Sequence, residues 1–459
     1  MKRRNFIKLS IAFGSLALMP QFSYASYVDL TQIQFSSTIS QDNQAQTLII
    51  FLYGGASQLA GNLSNIDEIK THSQSNYDNY FRGITKTTHN FWKEAGGDAM
   101  ESLINDGDMS LFRCCYSPTR EANNNKAHGE CTVQNQKGTF DEDSGGILAN
   151  LSQILQANNV VNANTLMPFV TMEGESHFYT EGNVSIPGYL KPIGINETFD
   201  NPYKRDAVRR WYYYTEAERD TAPDDYWKED AQGGFEPAYT QTMDNLAQDH
   251  NLNGKIKDTF SKREQRSQFI DSIANSTTPD LGANAYPTDN RFAQKIEASI
   301  KLLIANPDTK VLTVGTGGLG GWDDHNEARD YVTRSEQLFT SLKSAMAHLK
   351  ASNKEDKINI MVFGEFGRNV NLNSAKGWDH GNLQNFYVLG GKGYFNHKGV
   401  VGETVLENTG QINRLYLKPK SGTYTFEPLS IAATLYKIYG IENPEILTNG
   451  NKEIDQLFT

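Results

Sequence analysis

The feature that most constrains the fold is a series of short apolar runs that alternate with helical patterns along the chain. Each run is rich in Val, Ile, Leu or Phe and lacks strict alternation with polar residues, which is typical of strands covered on both faces. We predict that these runs are buried parallel strands. The six runs are Thr47–Tyr53, Met109–Tyr116, Leu166–Met172, Lys310–Thr316, Ile358–Gly364 and Asn385–Gly390.

Amphipathic helical patterns separate several of these runs. One apolar stripe has Asp289 as its predicted N-cap, a second ends just before the Ile358 run, and a last helix begins at Pro428 and stops at Gly440. The two stripes consist of Phe292, Ile296, Ile300 and Leu303, and of Leu338, Leu342, Met346 and Leu349. This alternation predicts an α/β fold with a doubly wound, mostly parallel sheet flanked by helices.

The stretch from about 196 to 287 breaks the alternation. It contains the aromatic segments Trp211–Tyr214 and Asp224–Trp227, many charges and few aliphatic runs. We interpret it as a mostly helical insertion within one α/β domain that spans residues 26–459. Whether it covers the functional site or elaborates the surface stays open.

The first 25 residues are organised as an export signal. Basic residues come first, an apolar run follows from Leu9 to Met19, and Ser23-Tyr24-Ala25 forms a small-x-small cleavage pattern. The segment Arg3-Arg4-Asn5-Phe6-Ile7-Lys8 resembles the twin-arginine signal, although an ordinary secretion signal with two arginines is the alternative. We therefore expect a periplasmic or secreted protein.

Charge and cysteine usage limit the partners and the covalent links. The net charge is −11, and it becomes −15 without the four basic residues of the first 25 positions, which argues against nucleic acids and anionic membrane surfaces as partners. No later stretch approaches 18 uninterrupted apolar residues, so we expect no membrane span. Cys114 and Cys115 are adjacent and Cys131 follows, which makes one bridge to Cys131 plausible.

Carboxylates and imidazoles cluster beside three of the predicted strands. Gly317–His325 and Glu365–Arg368 follow strands, and Gly377–Asn382 lies directly before another. Open α/β sheets bind ligands beyond strand ends, and such side chains hold divalent cations. Each segment alone has an ordinary explanation, since an Asp-x-His is more often a surface turn and Glu365 could pair with Arg368. Their order and spacing together favour a metal site.

These segments resemble the bacterial exported proteins classed as domain of unknown function 1501, a branch of the alkaline phosphatase/sulfatase-like superfamily. The family's marks are a first strand ending in Gly-Gly, a Gly-aromatic-Asp-x-His segment, a Glu-Phe-Gly-Arg segment and an Asp-His-Gly segment. Here they are Gly54-Gly55, Gly321–His325, Glu365–Arg368 and Asp379–Gly381, in family order. The resemblance implies an alkaline phosphatase-like fold over most of the chain after the signal.

The resemblance also implies a divalent metal (Zn, Ca or Mg) and a phosphate or sulfate ester substrate. In this scheme Arg368 clamps the anion, while Thr132, with Ser117 as another choice, is the nucleophile. Cys131 is disfavoured as a modified nucleophile because its Cys-x-Pro-x-Arg context is missing. The implied metal ligands are Asp323, His325, Glu365, Asp379, His380 and, as an extra ligand, His128.

Two departures from the family pattern weaken the implied metal-dependent hydrolysis. Ser57 stands where the family usually has an Asp, so we expect one ion rather than two, and Ala127 stands where a serine is usual. Two functions follow: a metal-dependent hydrolase-like protein, or a non-catalytic binding or assembly protein that retains the fold. The expected partner is a small anionic ester or a glycan, and a protein partner is not identified.

We predict that Met1–Ser26 directs a fused reporter to the periplasm and that Arg3→Lys combined with Arg4→Lys abolishes this export, because twin-arginine transport depends on the arginine pair. Fractionation of the reporter activity measures the result, with the unfused reporter as the control. Export that survives the double substitution would reassign the segment to the general secretion route.

Overall fold

The computed structural model describes residues 30–73, 77–81, 83–182, 185–201, 245, 255–408 and 414–458. The export segment Met1–Ala25 and the aromatic segments Trp211–Tyr214 and Asp224–Trp227 lie outside these residues. No helix within the described part is long and apolar enough to cross a membrane.

An eight-stranded sheet forms the centre of the domain, in the order β10-β2-β9-β6-β1-β5-β3-β4. Two further two-stranded ribbons, β7–β8 and β11–β12, lie outside it. The twelve strands are β1 Gln46–Leu52, β2 Met109–Cys115, β3 Phe169–Thr171, β4 Ile193–Gly194, β5 Val311–Val314, β6 Ile358–Gly364, β7 Gly367–Arg368, β8 His380–Gly381, β9 Gln384–Gly390, β10 Gly399–Val401, β11 Thr404–Asn408 and β12 Leu415–Pro419.

All six predicted strands exist, but one runs in the other direction. β1 pairs parallel with β5 and β6, whereas β9 pairs antiparallel with both β6 and β2. The prediction of a parallel strand over Asn385–Gly390 is therefore wrong. The chain passes from β6 to β9 without the crossover helix that a parallel neighbour requires, so it returns antiparallel. β3 is also shorter than predicted, because Pro168 precedes it and offers no N–H to the ladder.

Helices cover both faces of the sheet, which confirms the predicted α/β class. Leu48, Ile50 and Leu52 of β1 point into one apolar core with α4, α9 and α10, and Ile49 and Phe51 point into a second core with α7 and α11. The helices are α1 Ser37–Asn43, α2 Ile66–His72, α3 Tyr77–Tyr80, α4 Gly97–Asn105, α5 Pro118–Ala122, α6 His128–Lys137, α7 Ile147–Ala157, α8 Lys255–Ala274, α9 Arg291–Ala305, α10 Asp330–Ala351 and α11 Leu429–Ile438.

The start of α9 differs by one residue from the prediction. Asn290, rather than Asp289, is the N-cap, and its side-chain oxygen accepts hydrogen bonds from the amides of Phe292 at 2.9 Å and Ala293 at 3.3 Å. The predicted apolar stripe is fully buried. The cap therefore satisfies two amides that the first helical turn leaves without partners.

The three cysteines are free and buried, so the expected bridge to Cys131 is wrong. Cys114 contacts the carbonyl of Glu403, and Cys115 packs in the core on the opposite face of the sheet. Cys131 lies on α6, where its sulfur is 3.9 Å from the carbonyl of Asn125.

A buried acid, Glu173, follows β3. Gly315 leaves room for it, because a Cβ at that position would lie 2.7 Å from Glu173 Oε2. Burial raises the pKa of Glu173 to about 7, although the hydroxyls of Tyr53 and Thr313 and the charge of Lys295 oppose the shift. The folded state therefore favours the protonated carboxyl.

We predict that Glu173→Gln removes a pH dependence from the stability. The folded pKa lies above the unfolded value of 4.5, so the contribution of Glu173 is fully present below about pH 4.5 and is lost as the pH rises through about 7. At about 1.36 kcal/mol for each pH unit between the two values, the total loss is about 3 kcal/mol. Denaturant unfolding of wild type and variant between pH 4 and 8 measures the difference.

The exposed Glu336→Gln on α10 is the matched control and should leave the pH profile of the wild type unchanged. A wild-type minus Glu173→Gln difference that stays constant over this pH range would contradict the assignment.

Candidate metal centre

Four side chains from three chain segments converge at one edge of the sheet. His128 begins α6, Asp323 and His325 lie on the loop after β5, and His380 lies in β8, just before β9. One ligand atom from each lies within 4.8 Å of the others. The antiparallel direction of β9 matters here, because it brings the start of that strand to the edge where β5 and β6 end.

The ligand atoms are three imidazole Nε2 atoms and one carboxylate oxygen. Nε2 of His325 lies 2.7 Å from Nε2 of His380. Oδ1 of Asp323 lies 3.3 Å from Nε2 of His325 and 3.4 Å from Nε2 of His128. The ligand atoms of a tetrahedral zinc ion, with bonds of about 2.0–2.1 Å, lie about 3.4 Å apart. In this group, which we call the four-residue cluster, the two spacings from Asp323 match that value, and the spacing between His325 and His380 is shorter.

Each histidine of the four-residue cluster has its other nitrogen held by an oxygen. Nδ1 of His128 lies 2.6 Å from Oε2 of Glu365, and Nδ1 of His325 lies 3.4 Å from Oδ1 of Asp379. Nδ1 of His380 donates to the carbonyl of Lys126. The hydrogen-bond acceptors at Nδ1 of His128 and His380 assign the proton to that nitrogen in a neutral imidazole, so Nε2 of these two residues carries a lone pair.

Three lone pairs and a carboxylate oxygen thus face one point. Nε2 of His128 is buried and has no hydrogen-bond partner in the protein. Two unprotonated Nε2 atoms 2.7 Å apart, those of His325 and His380, repel each other unless a cation or a proton lies between them. The residues present therefore fit a divalent cation, and oxygen-held imidazoles are the usual environment of such ligands. Three nitrogens and one oxygen favour zinc over calcium or magnesium.

The surroundings of the four-residue cluster shift the pKa values of two of its members, His380 and Asp323. Burial, together with the charges of Arg368 and His128, lowers the pKa of His380 to about 4. Burial alone would raise the pKa of Asp323, but the hydrogen bond and charge of Arg368 outweigh it and leave this pKa below its ordinary value. At neutral pH His380 is therefore uncharged and Asp323 is ionised.

Arg368 is a buried brace beneath the four-residue cluster, not a clamp for a substrate anion. Its side chain is 0% exposed, and Nη2 lies 2.6 Å from Oδ1 of Asp323. The remaining donors bind backbone carbonyls: Nε that of Gly55 at 2.7 Å, Nη1 that of Trp378 at 2.9 Å, and Nη2 those of Gly54 and Trp322. The structure corrects the expected role, because these donors do not face solvent.

The glycine pair after β1 allows this close packing. Gly54 has a φ of +105°, and a Cβ there would lie 2.5 Å from the backbone nitrogen of Asp323. A Cβ on Gly55 would lie 2.3 Å from the ring of Phe366. Only glycine therefore lets the loops after β5 and β6 rest directly on the end of β1.

The predicted site residues fall into two groups: those with ligand spacing and those that lie against the histidine rings. His128, Asp323, His325 and His380 form the four-residue cluster, whereas Glu365 and Asp379 lie behind it on histidine nitrogens. The expectation that Glu365 and Asp379 are direct ligands is thereby corrected. Both carboxylate oxygens of Glu365 have partners, since its Oε1 accepts a hydrogen bond from the amide of Gly54 at 2.8 Å.

The two hydroxyl choices for a nucleophile lie in different settings. Thr132 is on α6, one turn after His128, and is half-buried. Its role as the nucleophile stays a prediction. Ser117 is fully buried and caps α5 by accepting from the amide of Arg120 at 3.1 Å. Ser57 is also buried, in the turn after Gly54-Gly55, and does not belong to the four-residue cluster.

Sequence reasoning missed the carbonyl of Lys126 as the partner of His380. A backbone oxygen has no residue-type signature, so no sequence signal could have revealed it. Lys126 also lines a surface groove of about 810 Å³ that opens beside His325 and His380. The rest of the groove consists of Asn123, Asn124, Asn125, Ala127, Glu130, Asp379, Arg414 and Tyr416.

The model of a protein family described as "Protein of unknown function (DUF1501)" matches residues 45–406. The chain matches no curated protein. Among solved structures it is similar to the C-terminal periplasmic domain of EcEptC from Escherichia coli in complex with Zn, at 10% identity over 92% of this chain and 90% of that one, with a TM-score of 0.38.

Two further similarities have the same character. The alkaline phosphatase from the Antarctic bacterium TAB5 is 10% identical over 86% of this chain and 98% of that one, with a TM-score of 0.31. The phosphonate monoester hydrolase SpPMH from Silicibacter pomeroyi is 12% identical over 90% and 76%, with a TM-score of 0.33. At these TM-scores the chemistry of the site must be argued from the residues of this chain.

We predict that Arg368→Met lowers the free energy of unfolding by about 3 kcal/mol or more, because it leaves several buried carbonyl groups without donors. Urea unfolding measures the change. The control is Arg291→Met; the Arg291 side chain is 70% exposed and pairs with Glu197, and its loss should cost less than about 1 kcal/mol. Equal losses in the two variants would show that Arg368 is not a brace.

Proposed function

The chain belongs to the DUF1501 family, and from that premise and the four-residue cluster we propose that it is an exported protein that binds one divalent metal ion and hydrolyses phosphate or sulfate esters. The single observation that carries the proposal is the convergence of three imidazole lone pairs and the carboxylate of Asp323. Zinc is the ion that this donor set favours.

When bound, a divalent ion would supply Lewis acidity toward an ester oxygen. The protein's own contribution is orientation: Glu365 and the carbonyl of Lys126 bind Nδ1 of His128 and His380, and Asp379 lies beside Nδ1 of His325. Arg368 fixes Asp323 from below. Thr132 is the nucleophile that we propose, from its place on the helix that begins at His128.

The groove beside the four-residue cluster supports a small anionic ester or a glycan as the ligand. Lys126 and Arg414 supply positive charge there, and Glu130 and Asp379 line the same groove with negative charge. The amides of Asn123, Asn124 and Asn125 can both donate to and accept from hydroxyl groups. The volume of about 810 Å³ lies within the usual range of small-molecule sites.

One ion rather than two is the stoichiometry that we propose. Within the described residues, one group of His, Cys, Asp and Glu has ligand spacing, and Ser57 is not part of it. Two-metal hydrolysis uses a pair of ions about 3.5–4 Å apart, so a single ion implies slower turnover of simple esters.

We propose that the protein is located in the periplasm or outside the cell and that it is exported by the twin-arginine route. Removal of residues 1–25 would leave one α/β domain, 26–459, with an insertion at about 196–287. The twin-arginine route carries folded cargo, which would let the protein take up its ion before export.

A non-catalytic binding or assembly protein is the second candidate. Arg368 faces the protein interior, which removes the predicted anion clamp, and this observation favours a site that holds an ion without turning over an ester. The hydrolase requires the metal ion, whereas the non-catalytic protein retains the fold with one ion or none, so a bound ion alone does not separate the two.

We predict that protein purified without chelator contains one divalent ion per chain and that His325→Ala loses it, because the substitution removes one of four ligands. Mass spectrometry of the metal content measures the stoichiometry. Release of 4-nitrophenol from 4-nitrophenyl phosphate and 4-nitrophenyl sulfate measures hydrolysis, which should be lost in the same variant. His89→Ala is the matched control, since His89 pairs with Glu101 outside the cluster.

Glu365→Gln refines the test, because it keeps the shape of the side chain that orients His128. It should weaken metal affinity about 10–100-fold without removing a ligand. A bound ion with no hydrolysis of either ester would select the non-catalytic function. A wild-type protein that binds no divalent ion and hydrolyses neither ester would refute the hydrolase and select the non-catalytic function.

A further inference from the structure

A second buried arginine, Arg120, contacts the main chain of the residue that holds His128. It lies in the middle of α5 and is 2% exposed. Its guanidinium donates to three oxygens: Nε to Oε1 of Gln134 at 2.9 Å, Nη2 to Oδ1 of Asn135 at 2.6 Å and Nη1 to the carbonyl of Glu365 at 3.2 Å. Gln134 and Asn135 lie on α6, which begins at His128. Arg120 therefore joins α5, α6 and the segment after β6.

The helix α6 contacts Glu365 at two points on one helical face. His128 and Asn135 are seven residues apart, so their side chains project from the same face about two turns apart. Nδ1 of His128 lies 2.6 Å from Oε2 of Glu365. The side-chain amide of Asn135 donates to the carbonyls of Gly364 at 2.6 Å and of Glu365 at 3.0 Å. One helix thus binds both the carboxylate and the main chain of Glu365.

Arg120 determines which end of the Asn135 amide faces Glu365. A side-chain amide has a donor end and an acceptor end. The acceptor end takes the N–H of Arg120, so the donor end points to the carbonyls of Gly364 and Glu365. Loss of the guanidinium would remove one donor from the carbonyl of Glu365 and would also remove the contact that fixes the amide.

The chemistry of the guanidinium suits this task better than a packing role. Its three acceptors are uncharged oxygens, and burying a charge is costly unless its hydrogen bonds are satisfied. The planar fork reaches α6 and Glu365 at the same time, which neither an apolar side chain nor a lysine can do. The carbonyl of Arg120 also accepts from the amide of Asn125 at 2.8 Å, next to Lys126, whose carbonyl binds His380.

We propose that Arg120 is a positioning residue of the metal centre, which fixes Asn135 and Glu365 so that the Glu365 carboxylate holds Nδ1 of His128. This role rests on the proposed metal site. The path runs from the guanidinium through the Asn135 amide and the main chain of Glu365 to the ring of His128. Arg120 therefore affects metal affinity although it contacts no ligand of the ion, whereas a purely structural arginine would affect stability alone.

Zinc affinity, measured by competition with a chromophoric chelator, tests this role in Arg120→Met. We expect a loss of about 10-fold or more, as for other groups that orient metal-binding histidines. Arg113→Met is the matched control, because Arg113 is 6% exposed and donates to the carbonyl of Gly61 at 2.9 Å and the hydroxyl of Ser64 at 3.1 Å, outside the four-residue cluster. It should lower resistance to urea but leave the zinc affinity unchanged. Unchanged affinity in Arg120→Met, or an equal loss in Arg113→Met, would overturn the role of Arg120.

A double-mutant cycle with Glu365→Ala tests the path. In that background the ring of His128 has already lost its partner, so Arg120→Met should weaken zinc binding little further. Equal fold-changes for Arg120→Met with and without Glu365 would overturn a path through this residue.

Nitrogen NMR of the histidine rings gives a readout that needs no metal ion. In metal-free wild type, at a pH where the ring is neutral, we expect His128 to carry its proton on Nδ1. Arg120→Met should give a mixture of both tautomers, and so should Asn135→Leu, which serves if Arg120→Met does not fold. An unchanged His128 tautomer in these variants would overturn the role of Arg120. A wild-type protein that binds no divalent ion would bear on the proposed function alone, because the ring signals still report whether Arg120 positions His128.

Discussion

The interaction on which the candidate site depends is the burial of one guanidinium group beneath it. Arg368 lies in β7, shortly after β6, and it donates to the carbonyls of Gly54 and Gly55 after β1, of Trp322 after β5 and of Trp378 before β9. A planar group with several fixed donors can satisfy four carbonyls from three segments at once, which a lysine cannot. Its hydrogen bond and charge lower the pKa of Asp323, and its charge adds to the effect of burial in lowering the pKa of His380.

The arrangement around the histidines follows the same logic. Each imidazole is held from behind by an oxygen on a different element: Glu365 after β6, Asp379 before β8, and the carbonyl of Lys126 before α6. A ligand held in this way loses little freedom when an ion binds, because its orientation is already fixed. The cluster is therefore pre-organised by groups that do not themselves belong to it.

Apolar patterning predicted the strands and helices well, because burial on two faces leaves a continuous apolar run that any sequence shows. It could not predict the direction of β9, because direction depends on what lies between two strands and not on the strands. The loop segments predicted that His325 and His380 would meet, but the division between ligands and outer partners could not be read from residue types. Glu365 and Asp323 are both carboxylates after buried strands, and only the fold shows that Glu365 points at the far nitrogen of His128. The role of Arg368 as an anion clamp could not be tested from the sequence for the same reason, because a Gly-Arg pair is the same in sequence whether the arginine faces solvent or the interior.

The pairing of β1 has a kinetic consequence. This strand, near the start of the domain, lies between β5 and β6, which are more than 250 residues later in the chain. Contacts of such high sequence separation form slowly, because a long loop must close before any of them contributes. Gly54, His128, Asp323 and His380 meet only when β9 is in place, so a nascent chain on the ribosome has no assembled ligand set until nearly all of the domain has been synthesised. Until then β1, an apolar strand with both edges unpaired, is the segment most exposed to aggregation and to the chaperones that prevent it.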